Sequence, residues 1–135
     1  MSYYIATNVE GPFADAVTRV EAALSQEGFG VLTRIDIEAT LKSKIGAEFR
    51  PYVILGACNP NLAFEALKLE GKVGTMLPCN VVVQQHQGGL VEVAAVDPVA
   101  SMQAIDNIAL RRAAEQVREK LGRVIDSLGS SQANG

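Results

Sequence analysis

Two Cys-Asn pairs, Cys58-Asn59 and Cys79-Asn80, are the residues of this chain best suited to chemistry, and they contain both of its cysteines. A thiol can serve as nucleophile, redox group or soft ligand once it loses its proton, and asparagine can cap a helix or hold a ligand. Cys58-Asn59-Pro60 closes an apolar run over residues 52–57, and Pro78-Cys79-Asn80 opens another, Val81-Val82-Val83. If these runs are antiparallel neighbours, the end of one lies beside the start of the other. Cys58 and Cys79 would then share one rim of a sheet despite the 20 residues between them. The first amides of a helix starting at Pro60 would point to the same place, where a helix N-terminus lowers a thiol's pKa and attracts anions. Such a rim could hold a thiolate, a soft metal or a small anion. The same residues also have a structural reading, with the cysteines as small buried hydrophobes and Asn59 as a cap.

Strand geometry argues against His86, the single histidine, as the third ligand of a Cys-Cys-His site unless the strand bulges or a second subunit intervenes. His86 stands seven residues after Cys79, an odd offset that turns the two side chains to opposite faces, ~23 Å apart along an extended strand. Two thiolates alone would leave a structural zinc short of its four ligands. The chain carries no glycine-rich phosphate loop, no G-x-G-x-x-G, no H-E-x-x-H, no C-x-x-C and no G-x-S-x-G. No motif therefore names a cofactor or a substrate, and no general base accompanies the thiols.

At 135 residues the chain is expected to form one α+β domain over residues 1–128 with a small, polar, frayed and disordered tail over 129–135. A net charge of −3 and a pI of about 5.1 argue against nucleic-acid binding, which needs a basic face. Seven aromatic side chains provide no base-stacking platform. Apolar residues make up 48% and charged residues 20%, leaving little polar surface to cover a monomer and pointing to apolar surface hidden between subunits. The N-terminus has no basic segment and apolar stretch of a signal peptide, and no run reaches the ~18 residues of a membrane span. The expected compartment is the cytoplasm, where cysteines are thiols or ligands more often than disulfides.

The elements that must position the rim follow from periodicity. Residues 3–8 read as a first strand. Pro12 suits the first position of a helix whose Phe13, Val17, Val20 and Leu24 recur at helical spacing and which stops at Gly28. Residues 29–35 read as a second strand with Val31, Thr33 and Ile35 on one face. Asp36 caps a helix over 37–45, in which Glu38 and Lys42 form an i,i+4 pair, Lys44 sits in the last turn and Gly46 ends it. These charges suit the helix dipole, so their plain role is that of a capped surface helix. Residues 52–57 are apolar on both faces, as an interior strand is, and Asn59-Pro60 starts a helix with Leu62, Ala66 and Leu69 on one stripe. Residues 81–85 and 90–96 are joined by Gln87-Gly88-Gly89, a tight hairpin signal that rules out a purely parallel sheet. Asp97-Pro98 begins a short helical turn. A last helix over 106–128 places Leu110, Ala114, Val117, Leu121, Val124 and Leu128 on one seam. The expected architecture is a mainly antiparallel sheet of about five strands, with the first and last helices on one face and the two middle helices as insertions.

With Gly28-Phe29-Gly30-Val31-Leu32-Thr33, Ile35-Asp36, Thr40-Leu41-Lys42, Lys44, Pro51-Tyr52, Ile54-Leu55-Gly56-Ala57-Cys58-Asn59-Pro60, Leu77-Pro78-Cys79-Asn80-Val81-Val82-Val83 and Asp97-Pro98 laid out, the chain resembles the family called domain of unknown function 302. The resemblance implies a small α+β protein of the TATA-binding-protein-like plan, strand-helix-four strands-helix, that tends to form homodimers. It implies motif positions at Asp36, Lys44, Cys58, Asn59, Cys79 and Asn80, but no established activity. An acidic residue commonly stands in the family where this chain has Arg34, so a shared site using that carboxylate is put in doubt. The fold likeness does not import DNA binding.

Three functions remain open on the sequence. One is a homodimeric module holding a small ligand or ion near Cys58 and Cys79 without catalysis. Another is a thiol-dependent enzyme or redox protein using Cys58 or Cys79, with Lys44 lowering a thiol pKa. The third is a structural interaction domain.

Overall fold

The computed structural model describes residues 2–133. Five strands, β1 (Tyr4–Val9), β2 (Gly30–Asp36), β3 (Tyr52–Cys58), β4 (Cys79–Gln85) and β5 (Val91–Val96), form one sheet in the order β1-β5-β4-β3-β2. Every neighbouring pair is antiparallel. Helix α1 (Phe13–Gln26) joins β1 to β2, α2 (Ile37–Ile45) joins β2 to β3, and α3 (Pro60–Leu69) with a 3-10 turn (Gly71–Met76) joins β3 to β4. After β5 come the single turn α4 (Pro98–Ser101) and the long α5 (Ile108–Ala133). This is the expected plan, with α2 and α3 as the inserted helices. Of the expected tail, α5 runs on to Ala133, and residues 134–135 lie outside the described residues.

Helices α1 and α5 pack against each other and against one face of the sheet. The periodic positions account for this. Val17, Val20 and Leu24 of α1 and Leu121, Val124 and Leu128 of α5 are buried against Leu55, Val81, Val83, Val91 and Val93. Removing such a side chain from water stabilises the fold by about 1.5–3 kcal/mol. Nearer the start of α5, Leu110 and Ala114 belong to a second, smaller cluster with Ala66, Val73 and Met102. One helix thus serves two cores, and Leu77 packs against both.

The capping residues act where the sequence places them. The Asp36 carboxylate accepts from the Ala39 amide at 2.9 Å and the Asn59 side chain accepts from the Leu62 amide at 3.3 Å. Asp97, buried, accepts from Val99 and Ala100 and is paired with Arg118 of α5 at 3.0 Å. The hairpin closes through the His86 amide to the Leu90 carbonyl at 2.8 Å, with Gly88 and Gly89 at positive φ.

Some local expectations are corrected. The register of β2 against β3 shifts between Val31 and Thr33. The extra residue, Leu32, is exposed, and the alternation inverts after it, as a bulge requires. Val31 therefore packs on the helix-side core, whereas Thr33 and Ile35 pair with Gly56 and Ile54 on the other face. Arg34 then lies opposite Leu55 and reaches Glu21 of α1 at 3.6 Å. Lys42 reaches past the end of α2 to Glu48 at 2.6 Å instead of pairing with Glu38. Leu69 is exposed, because the buried side of α3 is formed around Ala66. Pro12 caps α1 from outside its first turn, and the cap of α5 is Asn107, whose side chain accepts from the Leu110 amide at 3.0 Å.

Candidate functional site

The site is built by the pairing of β3 with β4. Ala57 stands directly opposite Cys79, so the chain leaves β3 at Cys58 beside the point where it enters β4. Ala57 and Cys79 point to the helix side, where Ala57, Val81 and Val83 are fully buried. The next residue after Cys58 is Asn59, whose cap starts α3 across the rim. Gly28 ends α1 in the left-handed region, φ 85°, and a Cβ there would come within 3.1 Å of the Asn59 side-chain nitrogen. Glycine is thus required both by the turn and by the close approach of the cap.

Cys58, Asn59 and Cys79 line one cavity of about 30 Å³ where the two hydrophobic clusters meet. Its walls are Phe29 and Ala57 from the main core, Ala66, Met102, Leu110 and Ala114 from the smaller one, and Leu62, Ala63, Leu77 and Val117 between them. That volume admits a single ion or a ligand of very few atoms. Both cysteines are free thiols; Cys79 is buried and Cys58 half-buried. Burial in this apolar setting, aided by the neighbouring Cys58, pushes the Cys79 thiol up to about 11 from an ordinary 9.0. At neutral pH Cys79 keeps its proton unless a ligand displaces it.

The other residues expected at the site lie elsewhere. Asn80 pairs with Gly56 and is exposed on the face of the sheet away from α1 and α5. There it lines an open groove of about 360 Å³ with Tyr4, Tyr52, Val82, Gln84 and Glu92. Asp36 lies opposite Val53, five residues back from Cys58 along β3, ~17 Å away at strand spacing. Lys44, in the last turn of α2, is exposed. His86 rests on Glu92 at 3.3 Å beyond the end of β4, away from both cysteines. Among the described residues no three His, Cys, Asp or Glu side chains are grouped to hold a metal ion.

The family model for the domain of unknown function DUF302 matches residues 5–128. The chain belongs to this family. A structure described as the crystal structure of uncharacterized conserved protein DUF302 from Bacillus stearothermophilus is similar with a TM-score of 0.88 and 29% identity. The similarity covers 95% of this chain and 99% of that one. No curated protein matches the chain.

In this DUF302 chain the sequence missed most of the cavity wall. Met102 and Leu110 look like core residues of a turn and a helix, and nothing in their local spacing ties them to the Cys-Asn pairs. The connection is tertiary: α3 and α4 both pack on α5, and that packing carries Met102 and Ala66 to the rim. Phe29 carries a readable signal, since it follows the glycine stop of α1 and enters the strand next to β3.

No helix among the described residues is long and apolar enough to cross a membrane.

Proposed function

We propose that this DUF302 chain is a cytoplasmic homodimeric module that holds a small ligand or ion in the cavity at the Cys58/Cys79 rim without turning it over. The observation that carries the reading is the convergence of both cysteines on one small apolar cavity. The reading without catalysis is supported by the Cys79 thiol, which burial keeps protonated and hence a poor nucleophile. It is further supported by the setting of both cysteines, which line the cavity among apolar side chains and Asn59, with no general base among its lining residues.

The homodimer is supported by the face of the sheet away from α1 and α5. Tyr4, Tyr52, Ile54, Val82, Ala94 and Ile35 lie on it half-buried or exposed and together make an apolar patch. Three polar residues at that face are tied to one another: the Arg50 guanidinium donates to Gln84 at 2.8 Å, and the Gln84 amide donates to Glu92 at 3.3 Å. A second copy could cover the apolar rows without leaving these groups unpaired.

Native mass spectrometry of the protein taken undenatured from cells tests the ligand. A dissociable mass should accompany the wild-type chain and be lost in the Cys58→Ser/Cys79→Ser double variant. The same mass on both proteins would refute the reading.

A further inference from the structure

Three of the chain's five sulfur-bearing side chains, far apart in sequence, meet at the cavity: Cys58 at the end of β3, Cys79 at the start of β4 and Met102 at the end of α4. Met102 is buried, and Met76, outside the cavity lining, packs against the same cluster. Sulfur is scarce in this chain, and its concentration around so small a space bears on what the space selects. Thioether and thiolate together are the donor set of soft, closed-shell cations, and first of all of copper(I). Zinc prefers four ligands from thiolate, imidazole and carboxylate, and neither imidazole nor carboxylate lines this cavity. A hard cation such as magnesium or calcium would find only the Asn59 side chain and backbone oxygens.

We infer that Cys58, Cys79 and Met102 form a three-sulfur site for copper(I). The inference rests on the reading of the cavity as a ligand site and names its occupant. The cavity's volume of about 30 Å³ is large enough for one ion. On binding, copper(I) displaces a proton from each thiol; both protons go to solvent, two copper–thiolate bonds form, and the thioether adds a third, neutral bond. No electron is transferred. The complex carries one negative charge, and the N-terminus of the ten-residue helix α3 begins at Asn59-Pro60 beside Cys58, where it favours that charge. The mostly apolar walls limit the approach of water and hard anions, which slows oxidation and exchange of a copper(I) ion.

The test uses the intact protein, copper(I) supplied under anaerobic conditions, and a chromogenic copper(I) chelator as competitor. Wild-type protein should retain one copper(I) per chain against stoichiometric competitor. Met102→Leu, which conserves volume, should weaken retention about tenfold or more, since it removes one soft donor of three. Cys58→Ser/Cys79→Ser should retain none. X-ray absorption of the loaded wild type should show only sulfur neighbours, and zinc(II) offered under the same conditions should not be held. The inference is overturned if wild type surrenders all its copper(I), if Met102→Leu binds as wild type does, or if nitrogen or oxygen neighbours dominate the spectrum. Surrender of copper(I) by a protein that still carries another cysteine-dependent ligand in its native mass overturns the copper site alone. Absence of any such ligand overturns the functional reading as well.

Discussion

Cys58 and Cys79 share one cavity because Ala57, the residue before Cys58, stands directly opposite Cys79 across β3 and β4. A slip of one residue in that register would turn Cys79 to the other face of the sheet. Gly56, next to Ala57, leaves no room for a side chain: a Cβ there would collide with the Thr33 hydroxyl and come within 2.8 Å of Pro78.

Gly56→Ala should therefore destabilise the fold by about 1–3 kcal/mol, the usual cost of forcing a methyl into packed surroundings. Urea unfolding measures it. Adding Thr33→Ala to the same chain should recover part of the loss, because it removes one of the two colliding groups. An unchanged midpoint in Gly56→Ala would show that β2 or Pro78 gives way freely.

Stability should fall at alkaline pH through Cys79. Its folded pKa, about 11, lies above the ordinary 9.0, so the folded state holds the proton that the unfolded chain releases. The contribution is present below about pH 9 and is lost as pH rises towards 11, at most about 2–3 kcal/mol in all. Denaturant midpoints across that window should drop more steeply for wild type than for Cys79→Ala. Parallel curves would contradict the assigned cause.

The two thiols should differ in reactivity. Cys58 is half-buried and Cys79 buried, so iodoacetamide should modify Cys58 in the native protein and Cys79 only after unfolding. Peptide mapping over time resolves the order. Rapid modification of Cys79 below pH 7 would instead favour a thiol-dependent enzyme.

Dimer formation through the open face should depend on Val82, which lies in the groove between Tyr4 and Tyr52. Val82→Glu should sediment as a folded monomer where wild type sediments as a dimer, since a charge would be buried without a partner. A dimer of undiminished affinity in Val82→Glu would direct the interface elsewhere.

The elements were legible in the sequence wherever a local rule governs them. The Phe13-Val17-Val20-Leu24 stripe, the caps at Asp36, Asn59 and Asp97, and the Gly88-Gly89 hairpin each follow from spacing within one element, and each has its expected role in the structure. The shared rim was legible too, because antiparallel neighbours bring a strand end beside the next strand's start. The bulge at Leu32 was not: one added residue leaves alternation plausible on either side of it. Met102 and Ala66 reach the cavity only through helix packing, which local periodicity does not encode. Asp36 and Lys44 are expected beside the cysteines only on the strength of the family resemblance; they stand at the far end of β2 and on α2, where capping explains the aspartate.

The central claim, that the cavity at the rim holds a ligand, is tested most directly by filling the cavity without touching sulfur. Ala114 lines it and is buried, so Ala114→Val occupies the space at a cost of about 1–3 kcal/mol for overpacking. Native mass spectra of wild type and Ala114→Val, both confirmed folded by circular dichroism, make the comparison. The expected result is a dissociable mass on wild type that is missing from Ala114→Val. The same mass on both, or no such mass on wild type, would contradict the claim.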